Sequence, residues 1–283
     1  RLSLAYSSEA RNGFAGMGWS LTGFSVIERV NGAWGAPQFS SSDVFTLDGQ
    51  TLLECVAAAS SYPSCAAGGT HYTQQESYLR IKKISDVLWE VYGKDGTKTE
   101  FAPIHTVPLY EGGPTYSLRL GQIRVTDTHG NVVNFNWIVN AENVNGATYP
   151  ASVTYGAYTI EFLREPRPDG AVTRGAWNDI GRQPERLRTI VVRKSDGSGI
   201  RAYRLGYESG RSLLASVQMY GKDFVVNALT GDVTGTTLPA RTFTYTTDAA
   251  VATFTGDAQM SSAGPPATPA GTIENTVWVF QHK

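Results

Sequence analysis

Short runs of alternating apolar and polar residues, each closed by a glycine turn, recur along the chain and confine it to strand-rich folds. Val87-Leu88-Trp89-Glu90-Val91-Tyr92 reaches Lys94-Asp95-Gly96 and returns through Lys98-Thr99-Glu100-Phe101, the pattern of strand, Asp-Gly turn and strand. Gln122-Ile123-Arg124-Val125 passes Asp127-Thr128-His129-Gly130-Asn131 into a run that sets Val133, Phe135, Trp137 and Val139 on one face. Leu187 to Lys194 turns at Ser195-Asp196-Gly197 and comes back with Tyr203, Leu205 and Tyr207 on a shared face. Tyr158, Ile160 and Phe162 repeat the pattern, as do Phe243 and Tyr245. The spacing between hairpins is irregular, which argues against a solenoid or propeller. Helical periodicity is confined to one candidate, Leu52 to Ala59, broken at Ser60-Ser61-Tyr62-Pro63. The predicted fold class is all-β: a large twisted antiparallel sheet of successive hairpins.

At 283 residues the chain suits one or two domains of ~150 residues, and one β domain of this kind can run to ~250. The β body is expected over 1–256. Residues 257–271 contain Ser261-Ser262-Ala263-Gly264-Pro265-Pro266 and read as a Pro/Gly/Ser-rich linker. The tail, 272–283, holds one strand-like run, Val277-Trp278-Val279-Phe280. A run of this kind begins another module, pairs with a second copy of the chain, or folds back as an edge strand. Long loops are expected at 55–75, 104–117, 140–150 and 164–184, with Arg164-Glu165-Pro166-Arg167-Pro168-Asp169-Gly170 an exposed, extended connection. Arg1-Leu2-Ser3-Leu4 is already strand-like, without Met or signal peptide, and reads as a processed product or an excised piece.

Composition narrows the function. Lys plus Arg is 24 against 25 Asp plus Glu, a net charge of -1, which disfavours an electrostatic nucleic-acid binder. No window of ~18 apolar residues is present, so no transmembrane segment is expected. Asp48, Asp95, Asp169 and Asp196 each precede a glycine and read as hairpin turn residues. Glycosidase carboxylates pair in space rather than in sequence, and nothing singles out a pair here. His71, His105, His129 and His282 are dispersed without metal-ligand spacing. Ser20 lies outside any Gly-x-Ser-x-Gly elbow, Gly221-Lys222 lacks the upstream glycine of a phosphate loop, and Gly16-x-Gly18 lacks the rest of a dinucleotide fingerprint. No catalytic residue, metal ligand or cofactor is assigned.

Cys55 and Cys65 bracket an uncharged stretch containing Pro63. They are either unrelated thiols or a disulfide closing one small loop, and their shared loop favours the bond. Such a bond implies an oxidising compartment. Trp89 and Trp137 alternate with apolar neighbours and read as core. Trp34 and Trp177 sit in glycine-rich or polar contexts and read as candidates for exposed aromatic contacts.

The opening stretch is the most specific. Leu2-Ser3-Leu4-Ala5-Tyr6-Ser7-Ser8 leads through Asn12-Gly13 to Gly16-Met17-Gly18-Trp19-Ser20-Leu21. The glycines permit positive φ and a tight reversal, with Trp19 and Leu21 anchoring the reversed segment in the core. This run resembles the start of the SpvB-like domain, the N-terminal module of the Salmonella virulence plasmid B protein and of the B components of insecticidal toxin complexes. Glu9 and Arg11 depart from the family's small residues. Asp43-Val44-Phe45-Thr46-Leu47-Asp48-Gly49, Arg211-Ser212-Leu213-Leu214 and Leu238-Pro239-Ala240-Arg241-Thr242-Phe243-Thr244-Tyr245 are similar to later family segments, so the resemblance covers about residues 2–247. Tyr6, Asn12, Gly13, Gly16, Gly18 and Trp19 are the motif residues, with a structural role.

The resemblance implies a β assembly related to RHS and YD-repeat shells, which in toxin-complex relatives helps build a hollow cocoon around a toxic C-terminal domain. It implies secretion or display at a bacterial surface, and neighbouring modules of the same or a partner toxin protein as partners. The virulence protein's ADP-ribosyltransferase is a separate domain whose Glu-x-Glu motif is missing from this sequence, as is the family's Asp-x-Asp-Gly-Asp propeller signature. The leading expectation is therefore a non-catalytic structural or packaging module. A glycan-binding or adhesion domain using Trp34 and Trp177 is the alternative, and an unrecognised hydrolase a third.

Overall fold

The computed structural model describes residues 2–32, 36–108, 113–140, 146–170, 172–176 and 179–245. Four short strands open the chain: β1 (Ser3–Tyr6), β2 (Asn12–Gly13), β3 (Gly16–Met17) and β4 (Trp19–Thr22). Eight follow: β5 (Val26–Asn31), β6 (Asp43–Leu47), β7 (Gln50–Glu54), β8 (His71–Thr73), β9 (Arg80–Ser85), β10 (Leu88–Tyr92), β11 (Lys98–Pro108) and β12 (Thr115–Thr126). The second half brings β13 (Val132–Ile138), β14 (Tyr149–Tyr155), β15 (Tyr158–Pro166), the hairpin β16 (Val172–Ala176) and β17 (Asp179–Gln183), then β18 (Glu185–Lys194), β19 (Gly199–Tyr207) and β20 (Leu214–Tyr220). Three two-residue strands complete it: β21 (Val225–Val226), β22 (Val233–Thr234) and β23 (Arg241–Thr242).

Fifteen of these strands form one antiparallel sheet, so the fold is all-β as the alternation requires. The expected hairpins β10–β11, β12–β13 and β18–β19 are present in register. Their turns rest on glycines in the left-handed region, Gly96, Gly130 and Gly197, with φ of 81°, 82° and 82°.

One part of the sheet closes. β5 pairs with β6, and neighbours continue through β7, β8, β9 and β10 to β11. β11 then pairs with β12, which returns to β5. This eight-stranded ring is filled by Ile27, Leu52, Ile81, Trp89, Phe101 and Leu120, as a barrel of this size requires. β12 also continues into β13, and from there an open sheet runs through β14, β15, β18, β19 and β20 to β23. The β1–β4 hairpin lies on the open sheet, where Leu4, Leu21 and Phe24 pack against a core of Phe135, Phe162, Leu187 and Leu205. Phe24 meets Phe135, Trp137 and Phe162 edge-on, with ring centres 5.4–5.6 Å apart.

Several expectations are corrected. The helix candidate 52–59 begins as strand β7, whose Leu52 faces the barrel interior, and only Ala57–Ala59 turns, as a 3-10 helix. Pairing of Leu52, Leu53 and Glu54 with β8 overrides their helical propensity. The expected 55–75 loop contains a short α-helix, Pro63–Ala66, and β8. The expected 104–117 loop is largely strand, because β11 and β12 are long and pair along most of their length. Within 140–150, strand β14 begins at Tyr149, and within 164–184 stand the end of β15 and the β16–β17 hairpin. Trp137 is half-buried and Val139 exposed, because a bulge at Asn136/Trp137 breaks the alternation. The linker 257–271 and the tail 272–283 lie outside the described residues.

Candidate functional site

The opening motif is locked by residues far away in sequence. Gly16 adopts φ 106° and Gly18 φ 76°. A Cβ at Gly16 would lie 2.3 Å from the Ser212 carbonyl oxygen, and one at Gly18 would lie 2.7 Å from the Tyr6 ring. Both glycines are therefore imposed by close approach as well as by φ. Asn12 and Gly13 do not use positive φ; they pair with Met17 and Gly16 as strands β2 and β3. The Trp19 ring is buried between Tyr6 (5.3 Å) and Phe243 (4.7 Å), and Tyr6 is half exposed.

Asp169 is the hub of the lock. Its carboxylate accepts hydrogen bonds from Asn12 Nδ2 (2.9 Å), the Ser212 backbone N–H (3.1 Å), the Ser212 hydroxyl (2.7 Å) and Arg167 Nε (3.3 Å). The Arg167 side chain is fully buried. It also donates to the Gly13 carbonyl (3.1 Å) and to Asn12 Oδ1. Met17 N–H donates to the Ser212 carbonyl (2.7 Å) and Leu187 N–H to the Phe14 carbonyl (2.8 Å). The motif loop is thus stitched to β18 and to the β19–β20 turn. Burial pushes the Asp169 carboxyl up, but bonds from Ser212 and Asn12 and the Arg167 guanidinium outweigh it and hold it well below the usual carboxylate range.

Beside the hub, Arg186 donates to Glu165 (2.8 Å) and to the Arg211 carbonyl (2.8 Å), with its guanidinium 4.0 Å from the Tyr207 ring centre. Burial pushes the Tyr207 hydroxyl up, and it donates to the Leu187 carbonyl at 2.6 Å. Arg188 bridges Glu165 (2.5 Å) and Asp232 (2.7 Å). Every carboxylate here is engaged by arginine or hydroxyl donors, an arrangement that holds strands together and offers no free base. The segment 164–170 is therefore a partly buried anchor, a correction to its reading as an exposed connection. Asp169 is likewise more than a turn residue.

A disulfide joins Cys55 and Cys65, with Cα atoms 5.5 Å apart. It closes the loop that carries both short helices between β7 and β8. Trp34 and Trp177 lie outside the described residues. Among the described residues no cluster of three or more His, Cys, Asp or Glu could hold a metal ion, and no helix is long and apolar enough to cross a membrane.

A family model described as Salmonella virulence plasmid 65kDa B protein matches residues 1–149. No curated protein matches the chain in sequence. Among solved structures, the Photorhabdus luminescens Tc holotoxin pore matches with a TM-score of 0.63 and 16% identity over 86% of this chain. The crystal structure of TcdB2-TccC3 matches with a TM-score of 0.61 and 16% identity over 84%. The N-terminal domain of the effector protein SpvB from Salmonella typhimurium strain LT2 matches with a TM-score of 0.54 and 18% identity, over 87% of this chain and 94% of that one. The chain spans 15% of the length of each of the two toxin chains. At these identities the likeness is one of fold.

Proposed function

Because the chain belongs to the family of the Salmonella virulence plasmid 65 kDa B protein, we propose that it is a non-catalytic structural module of a secreted bacterial toxin-type protein. In this reading it supplies one stretch of a β shell around or beside an effector domain, and its partners are neighbouring modules of the same or a partner toxin protein. The observation that carries the proposal is the sheet itself: fifteen strands run without interruption from a closed ring to β23, and this fold recurs within much longer toxin chains. Residues 236–243 cover the β20 edge, through Thr236–Gly221, Thr237–Tyr220, Leu238–Met219 and the short strand β23, so the outer side of the exposed β23 is the edge left for further pairing among the described residues. The Cys55–Cys65 bond fits maturation in an oxidising compartment. The glycan-binding alternative rests on Trp34 and Trp177, which lie outside the described residues.

Cryo-electron microscopy of the complete gene product tests the reading. Residues 2–245 should form part of a continuous wall, with the β23 edge extended by another strand. A free-standing domain on a tether, its β23 edge open to solvent, would refute it.

A further inference from the structure

The closed ring has an open end whose lining differs from its core. Directly opposed residues on neighbouring strands share a face. The pairs Arg29–Phe45, Glu54–His71 and Lys83–Trp89 therefore all face the barrel interior. Apart from Trp89, which belongs to the apolar filling, they lie at one end and, with Asp43, surround a cavity of about 390 Å³ lined by Arg29, Asp43, Phe45, Glu54, His71 and Lys83. Small barrels hold single ligands at such mouths.

The charges there are unevenly satisfied. Arg29 and Lys83 rise from β5 and β9, opposite walls of the ring, and converge on one ring. The Arg29 guanidinium lies 4.9 Å and the Lys83 ammonium 5.3 Å from the centre of Phe45. Arg29 Nε is buried without a hydrogen-bond partner, and Nη1 only approaches Asp43 Oδ2 at 3.5 Å. Asp43 is fully buried and its Oδ1 accepts the Gln38 N–H at 3.0 Å, so it orients the guanidinium without using its fork of donors. Lys83 is paired with the exposed Asp86 at 2.7 Å, a rim pair that is readily exchanged. Across the mouth, Glu54 is exposed and offers acceptor oxygens. Burial pushes His71 down to about 4, so near pH 7 its imidazole is a neutral hydrogen-bonding group. Trp89, packed against both Phe45 (4.9 Å) and His71 (4.8 Å), carries a buried Nε1–H that also lacks a partner.

We propose that this barrel mouth binds a small hydroxylated carboxylate, the size of one acidic sugar, with its carboxylate bridging Arg29 and Lys83 and its hydroxyls facing Glu54 and His71. Two cations converging from opposite walls select the carboxylate, because charge-assisted bonds to a planar fork are stronger and more directional than neutral ones. The acceptor on the far side selects hydroxyl donors over a second acid.

Isothermal titration calorimetry on the full chain tests this with D-glucuronate and N-acetylneuraminate, against D-glucose and succinate. At least one acidic sugar should bind with Kd of about 1 mM or tighter, with glucose and succinate at least about tenfold weaker. Lys83→Met, which removes a half-exposed ammonium, should weaken that binding by about tenfold or more while the melting curve stays in place. Arg29→Met should weaken it further, but it strands Asp43, so Lys83→Met carries the decision. The proposal is overturned if neither acid binds up to ~20 mM or if Lys83→Met binds unchanged. It is equally overturned if glucose or succinate binds as well as the acidic sugars.

Discussion

Replacing Asp169 by Ala should unlock the opening motif. The substitution removes the acceptor for Asn12, Arg167 and two groups of Ser212. Arg167 and Ser212 are both buried. Arg167 keeps the Gly13 carbonyl and Asn12 Oδ1 but loses its counter-charge. Asp169 is itself exposed, so stranding the buried Arg167 falls at the low end of the about 3–5 kcal/mol that removing one partner of a buried ion pair costs, the stranded Ser212 donors included. For a unit of this size the loss lowers Tm by roughly 10 °C. Urea denaturation followed by tryptophan fluorescence, with linear extrapolation, measures it. Asp95→Ala is the control: Asp95 also precedes a turn glycine, but it is exposed and its bonds stay within its own turn, to the Thr97 N–H and side chain. The sign with pH follows from the direction of the shift. Asp169 is held below its unfolded value, so its contribution is complete above pH ~3.9 and is lost as pH falls through the folded value. The gap between wild type and variant should therefore be full at pH 7 and narrow below about pH 4. If Asp169→Ala is no less stable than Asp95→Ala at pH 7, the hub carries no load and the reasoning fails.

Gly16→Ala should cost more than about 3 kcal/mol or prevent folding, because strain at φ 106° adds to overlap with the Ser212 carbonyl; Gly130→Ala, with nothing within 4 Å of its added Cβ, should cost far less by chemical denaturation. Phe101→Ala in the ring should cost about 3–5 kcal/mol, read as a lower urea midpoint. Removing the disulfide with Cys55→Ala and Cys65→Ala should lower stability by ~3 kcal/mol on the chain-entropy model, with wild type in reductant showing the same loss. His71 is depressed to about 4, so wild-type stability should decline as pH falls from about 6.5 towards 4, and His71→Phe should flatten that slope in a pH series of melts.

The hairpins were legible because each is local: β10 and β11 are joined by five residues, and Asp95-Gly96 marks their turn. Ring closure was not legible, since β5 meets β12 through Ile27–Leu120, a pairing that no local period encodes. The same holds for the lock. Gly16 and Gly18 stood out in the sequence, but Asp169 read as an ordinary turn residue, and Ser212 stood in a family-like segment with no role of its own. One signal was available: Arg167 and Asp169 sit beside Pro166 and Pro168, and a charge pair in so stiff a segment is preorganised to serve as an anchor. The barrel mouth was hidden for a different reason. Arg29, Glu54 and Lys83 sit within alternating strands, where charged residues read as the solvent face, and only closure turns that face inward.

The triple role of β12, paired with β5, β11 and β13, gives the sheet a direction. A strand ladder can normally grow from either side. Among the described residues one side of the main sheet is consumed in the ring, which leaves the β23 side to accept a newcomer. The main sheet of the described residues is in this respect a ladder capped at one end, and strand addition to it proceeds outward from β23.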